Sequence, residues 1–525
     1  MVYTISIFLL KQGFYFLERI YYIIYCGGEI LSKKSRLLIL FILLIMIMVG
    51  CTKEEISNNE TLITDNFNNL DSEKLNHYNI EMDLNYDDKV YTGKQTTSYV
   101  NNTNESLEEL YFHLYPNAFK TVDTAPILFS QGEDSPSSYE GGEIEILKVS
   151  YNGEDLDFNI QGEGDTILHI DLKQPLIEDK KADIYLEYKV KLPTTQDRFG
   201  YGNKVINGGN WYPVVAVYDE DGWNLDPYYQ IGDPFYSDIA NYNVRINTDK
   251  DVVIASSGNI LSEVVERDKK IYEIEGKLIR DFAWSASKDF KIAEKKLDNT
   301  NIKLYYLDKD KSMIEESLEI GEKSIRTFSK LFGQYPYGVY SIVMTEFPSG
   351  MEYPGVVFIS DELFKEPLID MLEQVIVHET AHQWWYGLVG NDQIKEAWLD
   401  ESLATYSEVL YNVEVYNKEK GEVYYTENIE IGYELAESYL TEDDVVNKPL
   451  DKFVGWDDYG PLVYSKGGVF VHKIREEYGY DTLIKILNQY FKEYKFKVAT
   501  TEDFIRICEE ITQDDLSDLV DEWLY

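Results

Sequence analysis

Alternation of apolar and polar positions sets in at Tyr78. Tyr78, Ile80, Met82 and Leu84 recur at every second position, as do Ile184, Leu186, Tyr188, Val190 and Leu192 further along, so each segment has one face to bury and one to wet. Turn-forming stretches, "YNGED" (151–155) and "SSGN" (256–259), fall between such runs, and residues 76–292 are predicted to form an all-β, sandwich-like domain. The period then changes. In "KSMIEESLEIGEKSIRTFSKLF" (311–332), Met313, Ile314, Leu318, Ile325, Phe328 and Leu331 make one helical stripe, closed by Gly333. A β segment, "YSIVMTEFPSGMEYPGVVFIS" (340–360), precedes a mostly apolar and therefore buried helix, "PLIDMLEQVIVHETAHQWWY" (367–386), with Pro367 in its first turn. "EAWLDESLATYSEVLY" (396–411) predicts a second amphipathic helix, and the rest is predominantly helical. The expected fold is multidomain α+β, the β domain being followed over 293–525 by a mostly helical domain with a small sheet.

Ahead of these domains lies a different pattern. Lys33, Lys34 and Arg36 precede "LLILFILLIMIMV" (37–49), an apolar run too short to span a bilayer but suited to a signal-peptide core. It ends in "MVGC" (48–51), and a small residue before cysteine at this point resembles the bacterial lipobox, which implies that Cys51 becomes the lipidated first residue. Residues 1–50 are thus expected to be a signal segment, with translation starting near Leu31 and residues 1–32 left untranslated. The polar, Asn-rich stretch 51–75 is expected to be a lipidated flexible tether. Together these place the protein on the extracytoplasmic face of a bacterial cell membrane, held by a lipid anchor.

Composition narrows the partners. With 94 acidic against 49 basic residues the net charge is −45, which repels nucleic acid and excludes it as an expected partner. The same charge favours cationic ligands, among them peptides with a free amino terminus. Cys26, Cys51 and Cys508 show no disulfide framework or zinc-knuckle spacing, and Cys508, after Phe504 and Ile505, reads as a core thiol.

The chain has only 6 histidines, and two of them, His378 and His382, stand one helical turn apart in "HETAH". Neutral imidazoles at that spacing project from one face and can ligate a single zinc ion. Glu379 lies beside the metal position without having to ligate it, as a carboxylate that takes a proton from water requires. The third ligand is expected to be Glu401, on the helix that follows the turn, with one Zn2+ per chain. His77, His113, His169 and His472 lack ligand spacing and are expected to be structural or at the surface.

"HETAH" with the later "WLDES" resembles the gluzincin membrane alanyl aminopeptidase family, which includes leukotriene-hydrolase-like enzymes. "SGMEYP" (349–354) is similar to that family's G-x-M-E-N signature and "YSKGG" (464–468) to its catalytic tyrosine segment. "RDFAWSAS" (280–287), "TTEDFIRICEEI" (500–511) and "LVDEWL" (519–524) also look familial, so the resemblance covers most of 76–525. It implies a thermolysin-like catalytic domain and a zinc-dependent aminopeptidase that removes N-terminal residues from peptides at the cell surface. Glu352 would hold the substrate ammonium, Gly350 and Met351 would line the extended peptide, Glu379 would act as base and Tyr464 would donate to the oxyanion. Ser349 stands where the family usually has glycine and Tyr353 where it has asparagine, and both bear on the shape of the amine pocket. For the β-domain residue that often helps grip the amine, Asn207 or Asn210 is the candidate. The alternatives are a thermolysin-like metalloendopeptidase and a non-catalytic peptide-binding lipoprotein. Neither the preferred N-terminal residue nor the oligomeric state follows from the sequence. Family members commonly continue into a helical domain over the active site, whereas "DEWLY" ends this chain; the expectation is an open cleft whose kcat/KM varies little up to peptides of about twenty residues.

Overall fold

The computed structural model describes residues 61–64, 66–126, 139–440 and 444–525. The signal segment and Cys51 lie outside the described residues. The two alternating runs are strands of one sheet, with Val90–Val100 between them: Asn76–Asn85 buries Tyr78, Ile80, Met82 and Leu84, and Lys181–Lys191 buries Ile184, Leu186, Tyr188 and Val190. The sheet has eight strands, in the order Asn259–Glu266, Lys269–Ile279, Ala240–Asp249, Asn76–Asn85, Val90–Val100, Lys181–Lys191, Glu143–Tyr151 and Glu154–Asp155. Two four-stranded sheets accompany it, one built around Trp284–Ser287 and the other around Leu107–His113 with Ile167–Leu176. The turn within "YNGED" takes φ 53° at Asn152 and 79° at Gly153, the left-handed pair that a two-residue hairpin needs and that Asn-Gly supplies at low cost. Aromatic rings fill the interior, with Tyr78 stacked on Tyr242 at 4.8 Å and Trp211 edge-on to Trp284 at 6.1 Å.

A five-stranded sheet opens the second part of the chain, in the order Lys291–Leu297, Thr300–Tyr306, Val339–Thr345, Val356–Ser360 and Gly350–Met351. Helix α1 (Lys311–Leu331) connects two parallel strands of this sheet and buries Met313, Leu318, Ile325, Phe328 and Leu331 on one side, as its stripe predicts. Helix α2 (Ile369–Ala381) packs between α1 and helix α3 (Trp398–Val415). Here the structure corrects the sequence reading in detail. Pro367 sits in a separate one-turn 3-10 segment, Glu366–Leu368, and α2 stops at Ala381 instead of running to Tyr386. The cause is local: His382 caps the helix, its Nδ1 lies 3.0 Å from the Trp385 carbonyl oxygen, and Tyr386 takes a φ of 103°, so the chain must turn.

The two parts are held together by buried polar contacts. Arg280, almost fully enclosed, donates to the carbonyl oxygens of Ser237 (2.7 Å), Tyr386 (3.0 Å) and Lys497 (2.9 Å). The end of the segment read as a flexible tether is also engaged. Ile63 N donates to Pro336 O at 2.8 Å, Asn68 Nδ2 to Glu493 O at 2.8 Å, and Lys495 Nζ to Asn66 O at 2.8 Å. Among the described residues no helix is long and apolar enough to cross a membrane. Cys508 is a buried free thiol, pushed well above its ordinary range by burial.

Candidate active site

Each zinc-ligand candidate is fixed by what surrounds its helix. Three indoles anchor the supporting elements: Trp384 Nε1 donates to Gly333 O (2.8 Å), Trp385 Nε1 to Ser407 Oγ (3.0 Å) and Trp398 Nε1 to Thr501 Oγ1 (2.9 Å). The second pins the end of α2 to α3, so that His378, His382 and Glu401 face one another. His378 Nε2 and His382 Nε2 are 3.1 Å apart, and each is 3.2 Å from Glu401 Oε2. Tetrahedral zinc with bonds of about 2.0–2.1 Å requires donor atoms about 3.3 Å apart, so this triangle fits the ion. The outer ring nitrogens support the same reading. His378 Nδ1 is 2.7 Å from Glu408 Oε1 and His382 Nδ1 faces the Trp385 carbonyl, so both rings carry their proton on the outside and leave the Nε2 lone pairs inward. Glu408 in turn accepts from the Tyr424 hydroxyl. Burial alone would raise the Glu401 carboxyl, but the His382 and His378 rings beside it hold it well below its ordinary value.

These groups open into a cavity of about 360 Å³ lined also by Ser349, Gly350, Met351, Glu352, Glu379 and Tyr464. His378, Glu379, His382 and Glu401 thus share one cavity with Gly350, Met351, Glu352 and Tyr464. Glu379 is buried and pushed up to about 7, chiefly by loss of hydration. The strand Gly350–Met351 lies directly on it, for a β-carbon on Gly350 would come within 1.9 Å of Glu379 Oε1. Gly350–Met351 is also an edge strand, paired on one side only with Val356–Ser360, and its other side is available to an extended peptide. Glu352 follows at the strand end. It is 4% exposed, its Oε1 has no hydrogen-bond partner, and burial together with the charges of Asp233 and Glu379 keeps its carboxyl well above the ordinary range. The Tyr464 hydroxyl donates to Glu401 Oε1 at 2.8 Å.

Tyr353 does not line the cavity. Its ring stacks with Phe235 and its hydroxyl lies over Gly209, so this departure from the family signature leaves the pocket wall to Ser349 and Met351. Asn207 and Asn210 are not there either: Asn207 Nδ2 donates to Asp197 O and Asn210 Nδ2 to Asp281 Oδ2. The β domain instead contributes Arg198 and Asp233, paired at 2.8 Å. The sequence reading missed both, because they come from irregular loops with no period to mark them. Glu408 was also missed, although it stands seven residues after Glu401 and therefore on the same face of α3.

Residues 316–523 match the Peptidase family M1 domain. Mouse aminopeptidase B is 30% identical over 202 residues, covering 36% of this chain and 30% of that protein. Probable aminopeptidase 1 of Sulfurisphaera tokodaii is 23% identical over 414 residues, covering 74% of this chain and 51% of that protein. The chain spans less than a third of the length of mouse, rat and human aminopeptidase B. Among solved structures, a mutant M1 zinc metallopeptidase from Deinococcus radiodurans superposes with a TM-score of 0.63 at 15% identity, covering 86% of this chain and 94% of that one. That likeness establishes the fold, a β-rich domain followed by a helical region. Residues 316–523, which carry the ligand triangle, are thus similar to the peptidase family M1 domain, and the β-rich domain with the helical region after it shares its fold with an M1 zinc metallopeptidase.

Proposed function

We propose that this protein is an aminopeptidase that removes N-terminal residues from peptides at the cell surface, tethered through a lipid on Cys51. The observation that carries the exopeptidase reading is Glu352, a buried carboxylate with an unpartnered oxygen in the same cavity as the ligand triangle. An endopeptidase needs no such group, whereas a free ammonium supplies the donor this oxygen lacks. Arg198, which also lines the cavity, is already committed to Asp233 and leaves the Glu352 oxygen to a substrate cation. The names of the relatives agree, for they include aminopeptidase B and an alanine/arginine aminopeptidase of yeast. One related Deinococcus structure carries a Tyr-Ser-Ala substrate. The surface location rests on the apolar run 37–49 and the cysteine that follows it.

Bound by His378, His382 and Glu401, a zinc ion supplies Lewis-acid activation of water and of the scissile carbonyl. The protein's own groups do the rest. Glu352 holds the substrate ammonium and so sets the first peptide bond opposite Glu379. Gly350 and Met351 keep the peptide extended along the open strand edge. Glu379 takes the proton from the attacking water and passes it to the leaving amine. Tyr464 turns its hydroxyl from Glu401 toward the developing oxyanion.

Two measurements test this. Acetylating the amino terminus of a good peptide substrate should lower kcat/KM by at least about 100-fold, the loss expected when a charged anchor is left unpaired; unchanged cleavage would make the enzyme an endopeptidase. Glu379→Gln should retain the metal while lowering kcat by several orders of magnitude, and near-normal turnover would exclude Glu379 as the base.

A further inference from the structure

The antiparallel strands Leu107–His113 and Ile167–Leu176 are in a register that sets Glu109 opposite Asp171 and Tyr111 opposite His169. Because side chains alternate along a strand, all four share one face. Two carboxylates directly opposite each other repel. Among the described residues neither has a lysine or arginine partner, and both converge on one imidazole. His169 Nε2 lies 2.9 Å from Glu109 Oε2 and 3.6 Å from Asp171 Oδ1, and the three atoms fall within 4.8 Å of one another. A neutral imidazole has one N–H to give and satisfies one of these carboxylates at most. The ring is also held in place, stacked on Tyr111 at 4.7 Å and 14°, with Trp223 packed against that tyrosine at 5.6 Å.

We infer that Glu109, His169 and Asp171 form a second divalent-metal site, on the β domain and sharing no residue with the catalytic cavity. A cation there binds both carboxylates and the inward lone pair of His169 at once, which relieves the repulsion and staples the two strands. One imidazole with two carboxylates suits Zn2+, Co2+ or Mn2+; Ca2+ prefers oxygen donors alone. Asp171 is 78% exposed at its side chain, so the remaining coordination positions go to water and the metal exchanges freely.

The test uses the full chain, dialysed against zinc and then washed with buffer, with bound metal counted by mass spectrometry. The wild type should hold two equivalents. His169→Ala, Glu109→Gln and Asp171→Asn should each hold one and keep wild-type kcat, and His378→Ala should lose the other equivalent. The near-isosteric Glu109→Gln and Asp171→Asn keep the test open should His169→Ala fold poorly. A wild type that binds a single equivalent, lost in His378→Ala, overturns the proposal. So does a second equivalent that survives in all three β-domain variants, because it would then be adventitious zinc on an acidic surface.

Discussion

The carboxylate that orients a ligand matters almost as much as the ligand. Glu408 Oε1 lies 2.7 Å from His378 Nδ1 and its other oxygen accepts from Tyr424, so ring, carboxylate and phenol form one chain behind the metal position. Removing the charge while keeping the shape, in Glu408→Gln, should weaken zinc affinity by about 10–100-fold, the usual cost of losing such a support. Tyr424→Phe, one link further out, should cost less. Competition with a chromogenic chelator measures both, and equal affinities in the two variants and the wild type would show that His378 is oriented by packing alone. At this scale the chemistry was largely legible, because His378, Glu379 and His382 declare themselves by spacing on one helix. Glu408 was legible in principle at two turns past Glu401. Arg198 and Asp233 were not, since a loop residue reaches a cavity through tertiary contacts that leave no local period.

Elements bring these residues to working distance, and the tightest approach is that of the edge strand Gly350–Met351 to helix α2. With no side chain at Gly350 the strand backbone rests against the Glu379 carboxylate. A methyl group would sit 1.9 Å from Glu379 Oε1, and either the strand or the carboxylate must move. Displacing a base by about 1 Å costs about 100-fold in rate. Gly350→Ala should therefore lower kcat by about that factor while leaving the zinc content unchanged, which separates a displaced base from a lost metal; unaltered kcat would mean that the strand yields. The sequence placed Gly350 and Met351 along the peptide path but not against Glu379, because a contact between a strand and a helix leaves no mark on local periodicity. The end of α2 was likewise overrun, because "HQWWY" continues the apolar pattern while the hydrogen bond from His382 to the Trp385 carbonyl, a contact invisible to periodicity, ends the helix.

Across the whole molecule, buried titratable groups couple folding to pH, and His113 is the cleanest case. It is enclosed in the β domain, stacked on Tyr115 at 4.7 Å, with Nε2 3.0 Å from Asn224 O and a buried Nδ1 that has no partner. The ring is therefore neutral, donating from Nε2, and a second proton on Nδ1 would be a buried charge with no acceptor. Burial pushes its pKa down to about 4, offset in part by the bond to Asn224, against an ordinary value of 6.5. Between those two values the unfolded chain carries a proton that the folded one refuses, so stability falls as pH drops from 6.5 toward 4. At pH 5 the loss from this group alone is about 2 kcal/mol. Asp281 and Asp233 act in the opposite sense, since burial raises both to about 6 and the folded state gains from their protonation as pH falls. The raw pH profile mixes these effects, but a variant isolates one of them. His113→Gln keeps a donor for Asn224 O and has nothing to titrate. Urea unfolding of both proteins at pH 7.5 and pH 5 should show the wild type losing about 2 kcal/mol more than the variant over that interval, whatever their stabilities at pH 7.5. Equal losses would mean that His113 takes up its proton in the folded state as readily as in the unfolded one, and that the β domain admits water to the ring.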